Sequence, residues 1–380
     1  MRFQFKTSYN QDIRIFRDKV DAFWYGLLAV LVLILPLLMD DYYVGETAWV
    51  FIYGICGVSL MVLVGYTGLV SLGHAAFLGI GAYAHAYFIQ HGMPWVVAMS
   101  LAVVLTTASG LIVGLPALRM TGIYLTIATL AFAVIIQEVF SRWESVTHGF
   151  AGMKVDKPVI FGVEFATDRS FYFLCLLFLV LTLWLTRNLL RSPTGRAWIA
   201  IRDSEIAAQS MGVNLAIYKS MAFAYSAGIM GLAGALFAHK IAFLAPDIFN
   251  ILLSIQFLLL VIVGGLGSLH GAVFGAIFVA LLPPLIAILR DSIPDSMAAF
   301  AASTGFTPIG SIGAAVGGFL AKPGVEAGIF GLILVLVILL EPLGMYGRWL
   351  KIKLFFSTFP MYKASTFKRQ KSYMRSERLR

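Results

Sequence analysis

Runs of about 20 consecutive apolar residues recur along most of this 380-residue chain, and they restrict its fold more than any other feature. A helix of that length matches the apolar thickness of a bilayer. Transmembrane β-strands instead alternate apolar and polar residues over about 10 positions, and the runs here are continuous. Apolar side chains make up 60% of the chain and charged ones 12%, so a soluble fold would expose large apolar patches. The pattern predicts an all-α, polytopic helical membrane protein.

The apolar runs predict about ten transmembrane helices. Their predicted bounds are 22–39, 47–64, 69–90, 94–115, 122–140, 171–186, 220–238, 251–263, 271–289 and 327–340. Lys and Arg residues divide 21 to 7 between the two sets of alternate connections, and basic residues favour the cytoplasmic side. We therefore expect both termini in the cytoplasm, which requires an even number of spans.

This topology divides the chain into three parts: a cytoplasmic N-terminal segment (1–21), a transmembrane domain (22–345) and a basic cytoplasmic tail (346–380). Within the domain, 187–219 form a cytoplasmic loop, and 291–326 form an external insert whose composition is compatible with a re-entrant or surface helix. The tail carries ten of the 28 Lys and Arg residues. Such a segment suits an anionic membrane surface, so we expect membrane lipid and not nucleic acid as its partner.

Nucleotide-binding and catalytic motifs are missing from the sequence. The phosphate-binding pattern G-x-x-x-x-G-K-[ST] does not occur, and neither does a metalloprotease or serine-nucleophile motif. The two cysteines and six histidines are too few and too dispersed for a metal cluster. We expect no catalytic residue, no metal and no cofactor bound by this chain.

The pattern Gly-Leu-x-Ser-Leu occurs twice, at 68–72 and 265–269, and each copy precedes an apolar run. Transporters built from repeats place Gly-broken helices at corresponding positions, and these breaks line the transport route. Independent use of Gly and Ser in packed helices would give the same repeated pattern without a duplication. The residues predicted to line a route are Gly68, Ser71, His74, Gly265, Ser268 and His270. For the two histidines, polar packing at a helix end is the alternative.

Glu138 is the acidic residue placed well inside a predicted span, which makes it a candidate functional group. Arg142 lies four residues later, on the same helical face, and offers an ion-pair partner. The sequence predicts a structural pair, with a transport role for Glu138 as the alternative.

The cytoplasmic loop contains a short amphipathic segment. Pro193 and Thr194 can begin a helix there, and Gly212 can end one. Its apolar side chains are Trp198, Ile201, Ile206 and Met211. The segment is too short to cross a bilayer, so we predict a helix parallel to the membrane that docks into a groove on a soluble partner. A helix resting on lipid is the alternative.

From Gly195 to Gly212 this loop resembles the coupling loop of the LivM-type permease subunits of ATP-binding-cassette (ABC) transporters for branched-chain amino acids. Further matches to these permeases follow in order through 65–79, 118–130, 264–272 and 341–349. The resemblance runs from residue 42 to residue 350. The acid of the general importer motif E-A-A-x-x-x-G would fall at Ile206, whereas Glu205 stands one position earlier, as in the LivM pattern.

The resemblance implies a multi-pass subunit of the bacterial inner membrane that imports branched-chain or related hydrophobic amino acids. It also implies a second, related permease subunit, two ATPase subunits that use ATP and Mg²⁺, and a periplasmic substrate-binding protein. The residues assigned by it to coupling with the ATPase are Arg196, Trp198, Arg202, Asp203, Glu205, Ala208 and Gly212. Arg202 and Asp203 are expected to make polar contacts at the rim of the ATPase groove.

Two other functions compete with this interpretation. In a proton-coupled secondary transporter, Glu138 or a histidine would carry the proton, but a second buried ionisable group for a relay is missing from the predicted spans. A membrane enzyme acting on lipid would need clustered carboxylates or histidines at a membrane face, and the sequence does not show them.

Overall fold

The structure is a computed structural model, and it describes residues 19–358 except 117–119, 121, 161, 305–317, 319–321, 323 and 342. The predicted N-terminal segment up to residue 18 and the predicted tail from residue 359 lie outside the described residues. So does most of the predicted external insert beyond residue 304.

Helices make up most of the described chain. They are α1 (Lys19–Leu38), α2 (Asp41–Leu60), α3 (His74–Gln90), α4 (Trp95–Gly114), α5 (Ile123–Arg142), α6 (Glu144–Thr147), α7 (Asp168–Arg191), α8 (Pro193–Asp203), α9 (Glu205–Ser210), α10 (Leu215–Ile241), α11 (Ile251–Gly264), α12 (Leu269–Thr304), α13 (Val325–Leu340) and α14 (Gly344–Thr358). A π-helical turn, Met61–Tyr66, continues α2, and 3₁₀ turns form at Gly149–Ala151 and Pro246–Phe249.

Four two-residue strands lie in the connections before α7 and after α10. They are β1 (Met153–Lys154), β2 (Val159–Ile160), β3 (Val163–Glu164) and β4 (Phe243–Leu244). β1 pairs with β4 in antiparallel register, and β2 pairs with β3 in the same way. The connection between α6 and α7 is therefore joined to the segment that follows α10.

Each of the ten predicted apolar runs falls on a helix, which confirms the all-α polytopic fold. In the described chain, six stretches are long and apolar enough to cross a membrane: Asp41–Tyr66, Trp95–Gly114, Ile123–Arg142, Asp168–Arg191, Leu215–Ile241 and Leu269–Ile288. A seventh follows if Gly328–Leu340 and Gly344–Phe356 form one broken span. The count of ten stays a prediction. The span in α12 was predicted to end at residue 289. The helix instead continues through an Ala-rich stretch to Thr304.

Among the described residues, those from 34 to 346 form one compact unit, and residues 19–33 with 347–358 belong to a second. Within the larger unit, α2 and α10 are the inner helices, with 89% and 78% of their most apolar windows buried. α4, α5 and α7 have less than a third of theirs buried and expose large apolar side chains. That outer surface suits lipid or another membrane subunit.

Glycines bring α10 directly against α3. A Cβ atom at Gly234 would lie 2.2 Å from the carbonyl oxygen of Leu78, and one at Gly81 would lie 2.4 Å from the Cα atom of Gly231. Any side chain at these positions would push the two helices apart. Small residues therefore set this crossing, as is usual for helices packed in membranes.

Candidate functional site

The loop between α7 and α10 contains two short helices that meet at Ser204. Pro193 begins α8, as predicted, because proline is preorganised for the first helical position. Ser204 is extended (φ −165°, ψ 116°), and its hydroxyl accepts a hydrogen bond from the N–H of Ala207 at 3.3 Å. The prediction of one helix is wrong because this serine caps a second helix.

Part of the predicted contact surface of this loop faces the protein itself. Trp198 is fully buried, and its Nε1–H donates to the carbonyl oxygen of Tyr218 at 2.9 Å. Ala208 is also buried. These two side chains anchor the loop to its own chain, so a charge placed at Ala208 would disturb that anchor first.

The rest of the loop points outward. Ile206 and Met211 are 84% and 85% exposed. Arg196 is exposed too, with its Nη1–H donating to the carbonyl oxygen of Arg191. Gly212, which follows α9, has φ +86°. The two exposed apolar side chains form what we call the loop knob, Ile206 and Met211.

An ion pair fastens α9 to the first turns of α10. The ammonium group of Lys219 donates to Oε2 of Glu205 at 2.8 Å. The side chain of Lys219 is 1% exposed and that of Glu205 is 33% exposed. A buried ammonium group needs a partner of opposite charge. Glu205, predicted as a coupling residue, therefore holds the loop in place.

The two copies of Gly-Leu-x-Ser-Leu interrupt helices at corresponding places. After the π-helical turn of α2, α3 begins only at His74, so the predicted span 69–90 starts five residues too early. α11 ends at Gly264, and α12 begins at Leu269. The first glycine of each copy has a positive φ, +72° at Gly68 and +110° at Gly265, which glycine adopts without steric cost.

The serine of each copy accepts a hydrogen bond from a backbone N–H group that follows it. The hydroxyl of Ser71 accepts one from the N–H of Gly73 at 3.2 Å. The hydroxyl of Ser268 accepts one from the N–H of Gly271 at 2.9 Å. Ser268 stands directly before α12 and caps it, whereas α3 begins three residues after Ser71, so the repeated pattern gives similar but not identical breaks.

The two breaks also meet in space. The N–H of Gly267 donates to Sδ of Met61 at 3.2 Å. A Cβ atom at Gly65 would lie 2.8 Å from the backbone nitrogen of Gly267. The backbones are in direct contact, so neither break can move far alone. We call residues 61–73 together with 264–268 the break junction.

Arg202, near the end of α8, reaches into the break junction. Its Nη1–H donates to the carbonyl oxygen of Gly65 at 3.0 Å, and Nη1 lies 3.3 Å from the Cβ position of Gly267. Its Cγ lies 3.2 Å from the Cβ position of Gly68. Nε and Nη2 both donate to Oδ1 of Asp203, which orients the guanidinium. Arg202 thus connects the loop between α7 and α10 to both breaks, and its expected contact at the rim of a partner's groove stays a prediction.

The residues predicted to line a route differ in exposure. Ser71, His74, Gly265 and Ser268 are buried, whereas Gly68 and His270 are exposed. The His74 ring bonds to the hydroxyls of Ser226 (2.9 Å) and Ser71 (3.2 Å), and Ser226 donates to the carbonyl oxygen of Ser59. This is the polar packing given as the alternative for His74. The ring of His270 stacks on Tyr346, with centroids 5.9 Å apart.

Glu138 forms the predicted ion pair with Nε of Arg142. The pair lies in the last turns of α5, and the side chains are 57% and 80% exposed in this chain. The carboxylate is therefore neither isolated nor enclosed by the protein.

A second buried polar cluster joins α3, α4 and α10. Nδ1 of His239 lies 2.7 Å from the carbonyl oxygen of Asp156, which can only accept, so Nδ1 carries the proton. Nε2 of His239 then accepts from the indole N–H of Trp95 (2.8 Å), and it lies 2.9 Å from Nε2 of His85. Sequence analysis missed this cluster because its histidines are 154 residues apart.

Comparison with known sequences decides the family. The sequence model of a family described as branched-chain amino acid transport system / permease component matches residues 42–298. The chain belongs to this family. The matched range contains the loop between α7 and α10, both breaks and Arg202, so the resemblance inferred from the sequence is confirmed.

Two relatives of this permease carry more specific names. The chain is 35% identical over 269 residues to the high-affinity branched-chain amino acid transport system permease protein LivM of Salmonella typhimurium, and equally to that of Escherichia coli. Each match covers 64% of this chain and 63% of the relative. The chain thus spans less than two thirds of the length of the relatives it matches. No solved structure matches the chain significantly.

Lys219 is a permease residue whose role sequence analysis left unassigned, although a signal was present. A lysine in the first turns of an apolar helix requires a nearby carboxylate when the helix is buried. Glu205 is the acid closest before it in the sequence. Pairing Glu205 with Lys219 would have predicted that α9 packs against α10.

Proposed function

We propose that this chain is a membrane-spanning subunit of an ABC importer that brings branched-chain or related hydrophobic amino acids into the cytoplasm. The proposed complex contains a second, related permease subunit, two ATPase subunits that use ATP and Mg²⁺, and a periplasmic binding protein. It lies in the bacterial inner membrane, with both termini of this chain in the cytoplasm. Family membership and the two LivM relatives support the proposal.

One structural observation carries the mechanism: Arg202 bonds to Gly65 and contacts the Gly267 position, so it links the cytoplasmic loop to both broken helices. α8 is anchored by Trp198, and α9 is anchored by the pair of Glu205 with Lys219. A partner that displaces the loop therefore moves Arg202, and Arg202 moves the break junction. Backbone that is not helical at membrane depth is suited to this role, because it lies against protein or water.

The loop knob is the proposed contact with the ATPase. Ile206 and Met211 are exposed, whereas Trp198 and Ile201 of the same segment are buried, which is the arrangement expected of side chains that fill a partner's groove. Arg202 and Asp203 support the loop from within and do not need to touch the ATPase.

The decisive experiment places a charge in the knob. In vesicles containing the assembled transporter, Ile206→Glu should abolish substrate-stimulated ATP hydrolysis while the chain still inserts and assembles. Gln209→Glu, on the same helix and also exposed, adds the same charge outside the knob and should keep most of the stimulation. Equal stimulation in both variants would contradict the proposed contact.

The substrate is tested by uptake of labelled leucine into cells that express the whole gene cluster, with and without this gene. Loss of leucine uptake on deletion supports the proposal. Retained leucine uptake, with loss of another small solute, would keep the ATP-driven mechanism and replace the cargo. A proton-coupled mechanism draws no support from Glu138, which is exposed and paired with Arg142.

A further inference from the structure

Tyr83 lies midway along α3, and its side chain is 2% exposed. Its hydroxyl is buried and has no hydrogen-bond partner among the residues that the structure describes. A buried polar atom without a partner is costly, and phenylalanine would fill nearly the same volume without that cost. A tyrosine at this position therefore indicates a use for the hydroxyl beyond packing.

Two aromatic rings enclose the Tyr83 side chain. The ring centroids of Phe140 and Phe249 lie 4.7 Å and 5.7 Å from that of Tyr83. A Cβ atom at Gly79, one turn earlier on α3, would lie 2.5 Å from the Phe140 ring and 3.0 Å from the Phe249 ring. Both rings therefore lie directly against the α3 backbone. The site combines the Tyr83 hydroxyl with two broad apolar surfaces, and the charge of Asp247, in the same turn as Phe249, also acts on that hydroxyl.

The two rings come from two different elements. Phe140 is near the end of α5, and Phe249 ends the 3₁₀ turn Pro246–Phe249 that precedes α11. α11 has 14 residues, so it is only about 21 Å long, shorter than the apolar core of a bilayer of about 30 Å. α11 therefore cannot cross the core alone, and at least one of its ends lies within the membrane. Interrupted helices at this depth form substrate sites in transporters.

We propose that Tyr83, Phe140 and Phe249 form a contact site for the transported amino acid. The Tyr83 O–H donates to the substrate carboxylate, and the two rings contact its apolar side chain. This inference rests on the proposed function, and it adds the substrate class and the residues that recognise it. In the structure the rings close the site, and displacement of the Phe249 turn opens it.

The test is Tyr83→Phe in the complete transporter, measured by uptake of labelled leucine at a concentration below saturation. A hydrogen bond to a charged group is lost in the variant, so uptake should fall about tenfold. The melting temperature of the purified subunit should stay unchanged or rise, because the folded protein loses no hydrogen bond. Unlabelled leucine and leucinamide, which lacks the carboxylate, both compete with labelled leucine for uptake. The substitution should change the inhibition by leucinamide less than the inhibition by leucine.

Tyr225→Phe is the matched control. The Tyr225 hydroxyl bonds to the hydroxyl of Thr186 at 2.9 Å, so this variant loses a structural hydrogen bond. Its melting temperature should fall, while its leucine uptake per folded transporter should not change.

Each other outcome counts against the inference. Wild-type uptake in Tyr83→Phe at unchanged stability overturns it. A melting temperature that falls as far as that of Tyr225→Phe shows a structural partner for the hydroxyl, and also overturns it. If the wild-type complex itself takes up no leucine when ATP is available, the proposed function fails and this inference fails with it.

Discussion

Replacing Glu205 by glutamine removes the charge that neutralises Lys219 but keeps the shape of the side chain. The ammonium group of Lys219, on a side chain that is 1% exposed, is left without an opposite charge. Removing one partner of a buried ion pair costs about 3–5 kcal/mol. Because the Glu205 side chain is 33% exposed, water already screens part of the interaction. We therefore expect a loss at the low end, about 3 kcal/mol, in the stability of α9 against α10.

Amide hydrogen exchange of the purified protein measures this loss. The N–H groups of Ala208 and Met211 donate to the carbonyl oxygens of Ser204 and Ala207, so they exchange when α9 opens. Each 1.4 kcal/mol is tenfold in a population, so Glu205→Gln should raise the exchange rates on the order of 100-fold.

A second substitution provides the control for this prediction. Lys219→Met in the Glu205→Gln background removes the unpaired charge and fills its place with an apolar side chain. Most of the protection should return, because apolar replacements of buried pairs are often neutral or stabilising. Exchange at the wild-type rate in Glu205→Gln would refute the reasoning, and so would a double variant that exchanges as fast as the single one.

Three further predictions concern the break junction and α5. Gly65→Ala places a Cβ atom 2.5 Å from Sδ of Met61 and 2.8 Å from the nitrogen of Gly267, so the free energy of unfolding, measured by thermal unfolding, should fall by about 1–3 kcal/mol. Gly328→Ala, whose Cβ atom meets nothing within 4 Å, should leave the free energy of unfolding unchanged. Arg202→Lys keeps the charge but loses the planar guanidinium group, so leucine uptake should fall while the melting temperature stays unchanged. Arg196→Lys, at an exposed position, should leave leucine uptake at the wild-type level. Glu138→Gln should change stability by less than about 1 kcal/mol, and uptake should stay at the wild-type level at acidic and neutral pH; a pH-dependent loss would favour proton coupling.

Local features of this fold were predictable from the sequence. The apolar runs located the helices, Pro193 marked the start of α8, and the spacing of Glu138 and Arg142 predicted their ion pair. These features depend on residues within one or two helical turns. A local signal was also overlooked, since Ser204 before a polar helical start is a typical N-cap.

The central contact of the candidate site depends on long-range packing. Arg202 and Gly65 are 137 residues apart, and the pattern of neither segment indicates the other. The repeated Gly-Leu-x-Ser-Leu showed that two breaks are similar, but similarity of two segments does not place them in contact. The same limit applies to Tyr83, whose missing partner is visible only once Phe140 and Phe249 surround it.

The π-helical turn at Met61–Tyr66 has a consequence for rotation. Such a turn holds one residue more than an α-helical turn of the same rise. If it relaxed to α-helical geometry, every residue beyond it would rotate by about 100° around the axis of α2 and shift by about 1.5 Å along it. The carbonyl group of Gly65, near the end of the turn, would then turn away from Arg202. A change of one residue in the winding of a single helix is thus enough to produce a large angular change at the junction.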